Sequence, residues 1–438
     1  MGEYGGQEGP AVVLPYVISG ISALLSVFCY TEFAVEIPVA GRSFAYLRVE
    51  LCDFMGFIVA GNILLQCVIG GAAVSRSWTS YFATLLNPQP NDFRIVAHSL
   101  SPDYRYLDPI AIVVLAIISV MAVMSTKGSS IFNYIATIIH IAFLLFIIIA
   151  GLTKADTKNY SDFAPFGARG IFQASAVLFF ADLGFDVIST MAEETKNPGR
   201  DIPIGLIGSM TIVTLVYCLL AMTLCLMQPY KDIDVDAPFS VAFEAVGLGW
   251  AKYIVAAGGL KGKTTVLLAA AVGQARYLTH IARTHLMPPC LAIVNEKTGT
   301  PLNATVVMLA ATAVIAFFTS LGILSNLLSI SSLFILMLVA IGLLVRRYYV
   351  SGVTTTANHI KFVVFLALIL GSSIATAIYW ASSDGWIGYA VTLPIRLLST
   401  TGLWLFFHRP GYQKFGAYHW YHGCRHYQLP STFSFLGL

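Results

Sequence analysis

Residues 298–345 form a continuous stretch without one charged side chain, the longest of several such runs in the chain. The hydrocarbon core of a bilayer is about 30 Å thick, and an α-helix crosses it in about 20 apolar residues. Mainly apolar runs that are long enough for at least one such helix lie at residues 10–31, 54–75, 109–126, 128–153, 170–192, 202–230, 250–277, 298–345, 362–383 and 386–407. Because residues 298–345 are long enough for two helices, the pattern predicts eleven membrane-spanning helices.

The composition excludes an ordinary soluble domain. Only 11% of the residues are charged and 57% are hydrophobic, whereas soluble domains contain about 25% charged residues. Backbone groups in lipid must be paired internally, so the fold class is predicted to be all-α, a polytopic membrane protein. The net charge of +3 is too small for a nucleic-acid-binding surface. The apolar runs contain no paired histidines, metal-ligand spacing or nucleophile elbow, so no enzyme, metal site or cofactor is expected in the membrane region.

Two carboxylates interrupt the run at residues 170–192. Asp182 and Asp186 lie in its middle with Gly184 between them, and a carboxylate at mid-membrane is costly unless it is solvated or paired. One interpretation is a broken helix, whose exposed backbone groups and half-helix ends hold a ligand. The other is a kinked but continuous packing helix in which Asp182 bonds to a neighbour. The residues by themselves leave both interpretations open.

Three further titratable residues lie at or within the runs. Glu32 and Glu36 close the first run one turn apart, and His140 lies in the middle of the run at 128–153. The ordinary interpretation places the glutamates at the water interface and bonds the histidine to a neighbouring helix. Each of the three is also a candidate for carrying a coupling proton.

Two other features receive a structural interpretation. Residues 258–264 read GGLKGKT, which is one residue short of a phosphate-binding loop, and no strand precedes them. They are expected to belong to a less apolar membrane helix with Lys261 and Lys263 inside it. Arg76 directly follows the run at 54–75 and is expected to lie in a connecting loop.

Five motifs carry a resemblance to a known family: GPAVVL at 9–14, VFCYTEFAVEIP at 27–38, SFAYLRVE at 43–50, AEETKNP at 192–198 and VGQARYL at 272–278. From about residue 9 to residue 404 the chain resembles the plant cationic amino acid transporters of the amino acid–polyamine–organocation superfamily. The resemblance implies two inverted five-helix repeats followed by further helices, with the family's first and sixth helices unwound at mid-membrane.

The resemblance also implies how the chain is organised. Helices 2–5 of the family map onto about 10–153, helices 6–10 onto about 170–345 and helices 11–12 onto about 362–407. Residues 1–407 would then form one transporter domain, and the family's first helix is expected to be missing. Residues 408–438 depart from the family pattern and are interpreted as a frameshifted tail, with a His-rich metal-binding tail as the alternative.

A substrate site follows from the same mapping. The family's sixth helix falls on residues 170–192, which places five residues beside the amine and carboxylate of the substrate: Phe180, Ala181, Asp182, Leu183 and Gly184. Gln66 stands where the family has a glutamate, a natural partner for a cationic side chain. Asp182 replaces a family tyrosine, and Lys263 replaces a neutral residue.

The function implied by the resemblance is an amino acid permease that is proton-coupled and works by alternating access. Its expected partners are an arginine- or lysine-like amino acid and the lipid bilayer, and the oligomeric state is left open. The plasma membrane is the expected location, with the vacuolar membrane as the alternative. The expected lack of the first family helix keeps another hypothesis open, a non-transporting truncated remnant or a protein that acts only as an interaction partner. A channel is not expected, because the sequence offers no ring of like charges to line a pore.

Overall fold

The computed structural model of the protein describes residues 9–36, 42–86, 92–99, 101, 104–124, 130–160, 163–182, 184, 197–234, 236–295, 300–349, 354–382 and 387–407. The α-helices in this part of the chain, numbered α1 to α13, are Val13–Glu36, Arg42–Glu50, Asp53–Leu85, Pro109–Met124, Ser130–Leu152, Gly167–Leu178, Pro198–Met227, Pro238–Ala245, Gly249–Arg283, Leu302–Phe318, Leu321–Tyr348, Thr356–Ser382 and Ile387–Phe407. Strands β1, Ile95–Val96, and β2, Tyr106–Leu107, form an antiparallel pair between α3 and α4.

The predicted runs coincide with helices wherever the structure describes them. Helices α1, α3, α5, α7, α9, α11 and α12 are long and apolar enough to span a membrane, and α4 and α10 are shorter apolar helices. The two remaining runs hold α6 and α13. The predicted class, an all-α polytopic membrane protein, is thus confirmed, because a helix satisfies its own backbone groups where lipid offers no partner.

Helix α3 continues past the predicted end of its run to Leu85, and Arg76 lies inside it with an exposure of 2%. The expectation that Arg76 lies in a connecting loop is therefore wrong. Its Nη1 donates to the carbonyl of Ala316 at 2.8 Å, and its Nη2 donates to the carbonyl of Tyr106 at 2.9 Å. These carbonyls, from α10 and β2, pair the two Nη groups of a guanidinium that lipid or a bare apolar core would exclude.

The described chain divides into two compact units: the described residues of 9–48 and 52–338 form the first, and residues 49–51 with the described residues of 339–407 form the second. In the first unit, one hydrophobic core joins α1, α5, α6, α7, α8 and α9, and another joins α3, α4, α9, α10 and α11. Helix α9 takes part in both cores. Helix α9 therefore connects the two hydrophobic cores of the first unit.

Small residues set the distances between helices of the first unit. A Cβ added to Gly20 would lie 2.5 Å from Oγ1 of Thr214, and one added to Gly151 would lie 2.9 Å from Sδ of Met227. Apolar side chains gain little by leaving lipid for a helix interface, so close packing at small residues is what holds membrane helices together. Helix α7 is held against α1 and α5 in this way.

The second unit contains α12, α13 and the end of α11. Phe362 and Leu403 form its buried core. A Cβ added to Gly402 would lie 2.8 Å from the ring of Phe365, so α12 and α13 also pack closely. Arg346 forms an ion pair with Glu50 within this unit. Residues 408–438, interpreted as a frameshifted tail, lie outside the described residues.

Candidate functional site

Helix α6 ends well before the end of the run in which it is predicted. Its α-helical hydrogen bonds stop at Leu178, and a 3-10 turn continues to Asp182. Gly184 follows with a φ of 133°, a left-handed conformation that side chains rarely adopt. The backbone leaves helical geometry where the broken-helix interpretation requires it. Leu183 and residues 185–196 lie outside the described residues.

Neighbouring helices supply hydrogen bonds to the end of α6. The Oγ of Ser329 on α11 donates to the carbonyl of Val177 at 2.8 Å. The hydroxyl of Tyr217 on α7 donates to the carbonyl of Ala181 at 3.2 Å. A helix end that is buried in this way carries the negative end of the helix dipole into the bundle.

Asp182 is the carboxylate at this helix end, and it is only 3% exposed. The Oγ of Ser19 on α1 donates to its Oδ2 at 2.6 Å, and its Oδ1 has no hydrogen-bond partner among the described residues. The ion pairs found in the described part of the chain do not include it. A buried carboxylate without a cation favours a proton or a cationic ligand nearby.

A cavity of about 590 Å³ lies among α1, α3, α5, α6, α8, α9 and α11 of the first unit. Sites for small molecules usually measure about 300–1,000 Å³. Phe180, Ala181 and His140 line the cavity, as does Tyr16, which lies one turn before Ser19 on α1. The end of α6 therefore borders a space of the right size for an amino acid.

One face of α9 closes the cavity against α5. Lys261 donates a hydrogen bond through Nζ to the carbonyl of Ala136. A Cβ added to Gly262 would lie 2.8 Å from Cε1 of His140. The ring of His140 fits beside α9 only because residue 262 has no side chain.

The other face of α9 packs on α3. A Cβ added to Gly259 would lie 2.7 Å from Cδ1 of Tyr81. One turn further along α9, Nζ of Lys263 lies 3.8 Å from the centroid of the same ring, the geometry of a cation–π contact. The glycines of the GGLKGKT segment are packing residues of a helix, which agrees with the dismissal of a phosphate-binding loop.

Comparison with known proteins gives a family. The model of the amino acid permease family matches residues 5–380. The chain belongs to the amino acid permease family. Over 397 residues this permease is 72% identical to Cationic amino acid transporter 1 of Arabidopsis thaliana, covering 90% of the chain and 67% of that relative. It is 57% identical over 402 residues to Cationic amino acid transporter 5 of the same plant, covering 91% and 70%.

A more distant relative has another substrate in its name. The permease is 30% identical over 394 residues to the Methylthioribose transporter of Bacillus subtilis, covering 89% of the chain and 85% of that relative. All three relatives are named transporters, in agreement with the prediction that the chain is a membrane transport protein and no enzyme.

A buried charge network borders the cavity of this permease. Arg94 pairs with Asp108 through Nε at 3.5 Å and with Asp236 through Nη1 at 3.2 Å, and its Nη2 donates to Oγ of Ser80 at 2.7 Å. Asp236 also lines the cavity. Sequence analysis does not single out these residues. A signal does exist for Asp108, which precedes Pro109 at a helix start and accepts a hydrogen bond from a backbone N–H of the first turn of α4.

Other predicted site residues lie apart from the cavity lining. Gln66 donates through Nε2 to Oγ of Ser332 at 2.9 Å and does not line the cavity. Glu32 is half-buried on α1 and does not line it either. Glu36 ends α1, and its side chain lies outside the described residues. Their roles in binding or proton coupling stay predictions.

A methyl group at position 262 is expected to destabilise this packing. Gly262→Ala places Cβ against the ring of His140 at 2.8 Å, so the free energy of unfolding should fall by about 1–3 kcal/mol. Thermal unfolding in detergent measures the change. Gly208→Ala is the matched control, because a Cβ at this exposed helical position meets nothing within 4 Å. Equal stability of the two variants would contradict the packing role.

Proposed function

We propose that this permease carries amino acids with a cationic side chain across a membrane by alternating access, coupled to protons. The relatives named as cationic amino acid transporters support the substrate class. In alternating access, helices rock around a central site where helices are interrupted at mid-membrane.

The observation that carries the proposal is the end of α6 at the cavity. Phe180 and Ala181 line the cavity, and the neighbouring Asp182 is a buried carboxylate without a cationic partner among the described residues. The carbonyl end of a helix and a carboxylate both attract positive charge. The cationic side chain of an amino acid would thus be attracted to this wall of the cavity.

His140 is the first candidate for the proton-carrying group. It lines the cavity, and its Nδ1 is buried without a hydrogen-bond partner among the described residues. Imidazole is the side chain that titrates nearest to neutral pH. Glu32 and Glu36 are the second candidates, at the far end of α1.

The proposed location is the plasma membrane, with the vacuolar membrane as the alternative. A relative that is 51% identical over 396 residues is named Cationic amino acid transporter 8, vacuolar. A more distant one, 41% identical, is named chloroplastic. A fluorescent fusion of the chain, viewed with markers for each membrane, distinguishes these locations.

Liposomes that contain the purified chain are expected to accumulate labelled arginine when the outside is made acidic, and to lose this uptake when a protonophore removes the gradient. His140→Gln should abolish the response to the gradient while arginine exchange continues, because exchange needs no net proton movement. His359→Gln, at an exposed position on α12, is the control. Uptake by the wild-type chain no greater than in protein-free liposomes would refute the proposed function.

A further inference from the structure

We infer that Lys263 binds the carboxylate of the substrate, and that the cavity therefore selects amino acids over amines that carry the same cationic groups but no carboxylate. The inference rests on the proposed function and deepens it. It names the side chain that recognises the carboxylate, the group that an amino acid has and a polyamine lacks. Lys263 lines the cavity, and its ammonium lies over the ring of Tyr81.

The lysines of α9 differ in what their ammonium groups bind. Lys252 is paired with Glu244 at 2.7 Å. Lys261 is bonded to the carbonyl of Ala136. Lys263 lies over the ring of Tyr81, at 3.8 Å from its centroid, and no carboxylate of the described residues lies within ion-pair distance of it.

An anion is the partner that best stabilises an ammonium group in this position. The face of an aromatic ring offsets only part of the hydration that a buried cation loses, whereas a carboxylate offers both charge and hydrogen bonds. The α-carboxylate is the anion that every amino acid substrate brings into the cavity. Asp236 also lines the cavity, but its Oδ1 is bonded to Arg94.

The surroundings hold the ammonium at the cavity wall and add a second donor. Gly259 lies one turn before Lys263 and leaves room for the ring of Tyr81, which would otherwise meet a Cβ at 2.7 Å. Ser77 lies one turn before Tyr81 on α3, thus on the same face, and also lines the cavity. The hydroxyl of Ser77 is therefore a second hydrogen-bond donor on the cavity lining to which Lys263 belongs.

This assignment gives the cavity two poles of opposite sign. The α9–α3 wall carries Lys263, and the α6 wall carries the carbonyl end of the helix with Asp182 behind it. A cationic amino acid would lie with its carboxylate on the first wall and its positive groups toward the second. An amine that lacks the carboxylate would meet the repulsion of Lys263 with nothing to offset it.

The test compares binding of three probes to the purified full chain: L-arginine, L-arginine methyl ester and agmatine, which is arginine without its carboxylate. We expect the wild type to bind arginine about tenfold or more tightly than either analogue, the size of one charge-assisted hydrogen bond. Lys263→Gln should remove this preference, because arginine loses the partner of its carboxylate and the two analogues lose the repulsion of the ammonium group. Lys263→Arg should restore most of the preference, and Lys154→Gln, at an exposed position, should leave it unchanged.

The outcomes separate this inference from the proposed function. Equal binding of arginine and agmatine by the wild type would overturn the carboxylate site, whatever the variants do. An unchanged preference in Lys263→Gln would overturn the role of this lysine while the proposed function stands. Failure of the wild type to bind any of the three probes would overturn the proposed function and the inference with it.

Discussion

Arg94→Met is expected to lower the free energy of unfolding by about 3–5 kcal/mol, the effect of removing one partner from a buried ion pair. Arg94 is 8% exposed and Asp108 is not exposed at all, so the variant leaves a carboxylate buried without its cation. Asp236, at the cavity wall, also loses the arginine that lies 3.2 Å away. Unfolding by a denaturing detergent measures the loss.

Two controls distinguish this network from a general effect of lost charge. Arg283→Met, at an exposed position near the end of α9, should change the free energy of unfolding by less than about 0.5 kcal/mol. Asp108→Leu added to Arg94→Met should recover part of the loss, because the fully buried carboxylate of Asp108 is then no longer left without its cation. Arg94→Met with wild-type stability would mean that the network contributes nothing.

Asp182→Asn is expected to weaken arginine binding at least about tenfold, because it removes a negative charge from a site of low dielectric constant. The variant should fold at least as well as the wild type. In the wild type, Asp182 is 3% exposed, and one oxygen of its carboxylate has no partner among the described residues. The amide of asparagine avoids the cost of burying that charge. Binding and thermal stability measured on the same purified sample separate the two effects.

Ser19→Ala and Asp201→Asn are the controls for this prediction. Ser19→Ala removes the 2.6 Å hydrogen bond but keeps the charge, so its effect on arginine binding should be smaller. Asp201 is exposed near the start of α7, and its change to asparagine should have no effect. If Asp182→Asn binds arginine as tightly as the wild type, this carboxylate is no part of the substrate site.

The interruption of α6 shows how far residue chemistry alone reaches. Asp182 and Gly184 make a continuous membrane helix unfavourable, one through the cost of a buried charge and the other through backbone freedom. The described backbone leaves α-helical geometry after Leu178, four residues before the aspartate. The partners of the free carbonyls, Ser329 and Tyr217, lie on helices far along the chain, and no local pattern indicates them.

Arg76 marks the limit of that reasoning. A charge at the end of an apolar run normally ends the membrane segment, so the sequence predicts a loop there. The helix continues because the guanidinium reaches the carbonyl of Ala316, 240 residues away in the chain. The pairing of Arg94 with Asp236 was beyond prediction for the same reason, since no spacing in the sequence brings these two residues together.

The amino-acid sequence by itself determined that the chain is a bundle of membrane helices and where most of them lie, and it left open whether the helix that carries Asp182 is broken or only kinked. The positions of the helices are determined locally, because lipid offers no hydrogen-bond partner to the backbone of an apolar run and a helix pairs these groups internally. Only the tertiary structure decided which polar groups meet inside the bundle. It placed Lys263 over Tyr81, His140 beside Gly262 and Asp236 against Arg94 around one cavity. The physical reason is that helix packing in a membrane depends on close contacts between small residues and on polar partners far apart in the chain.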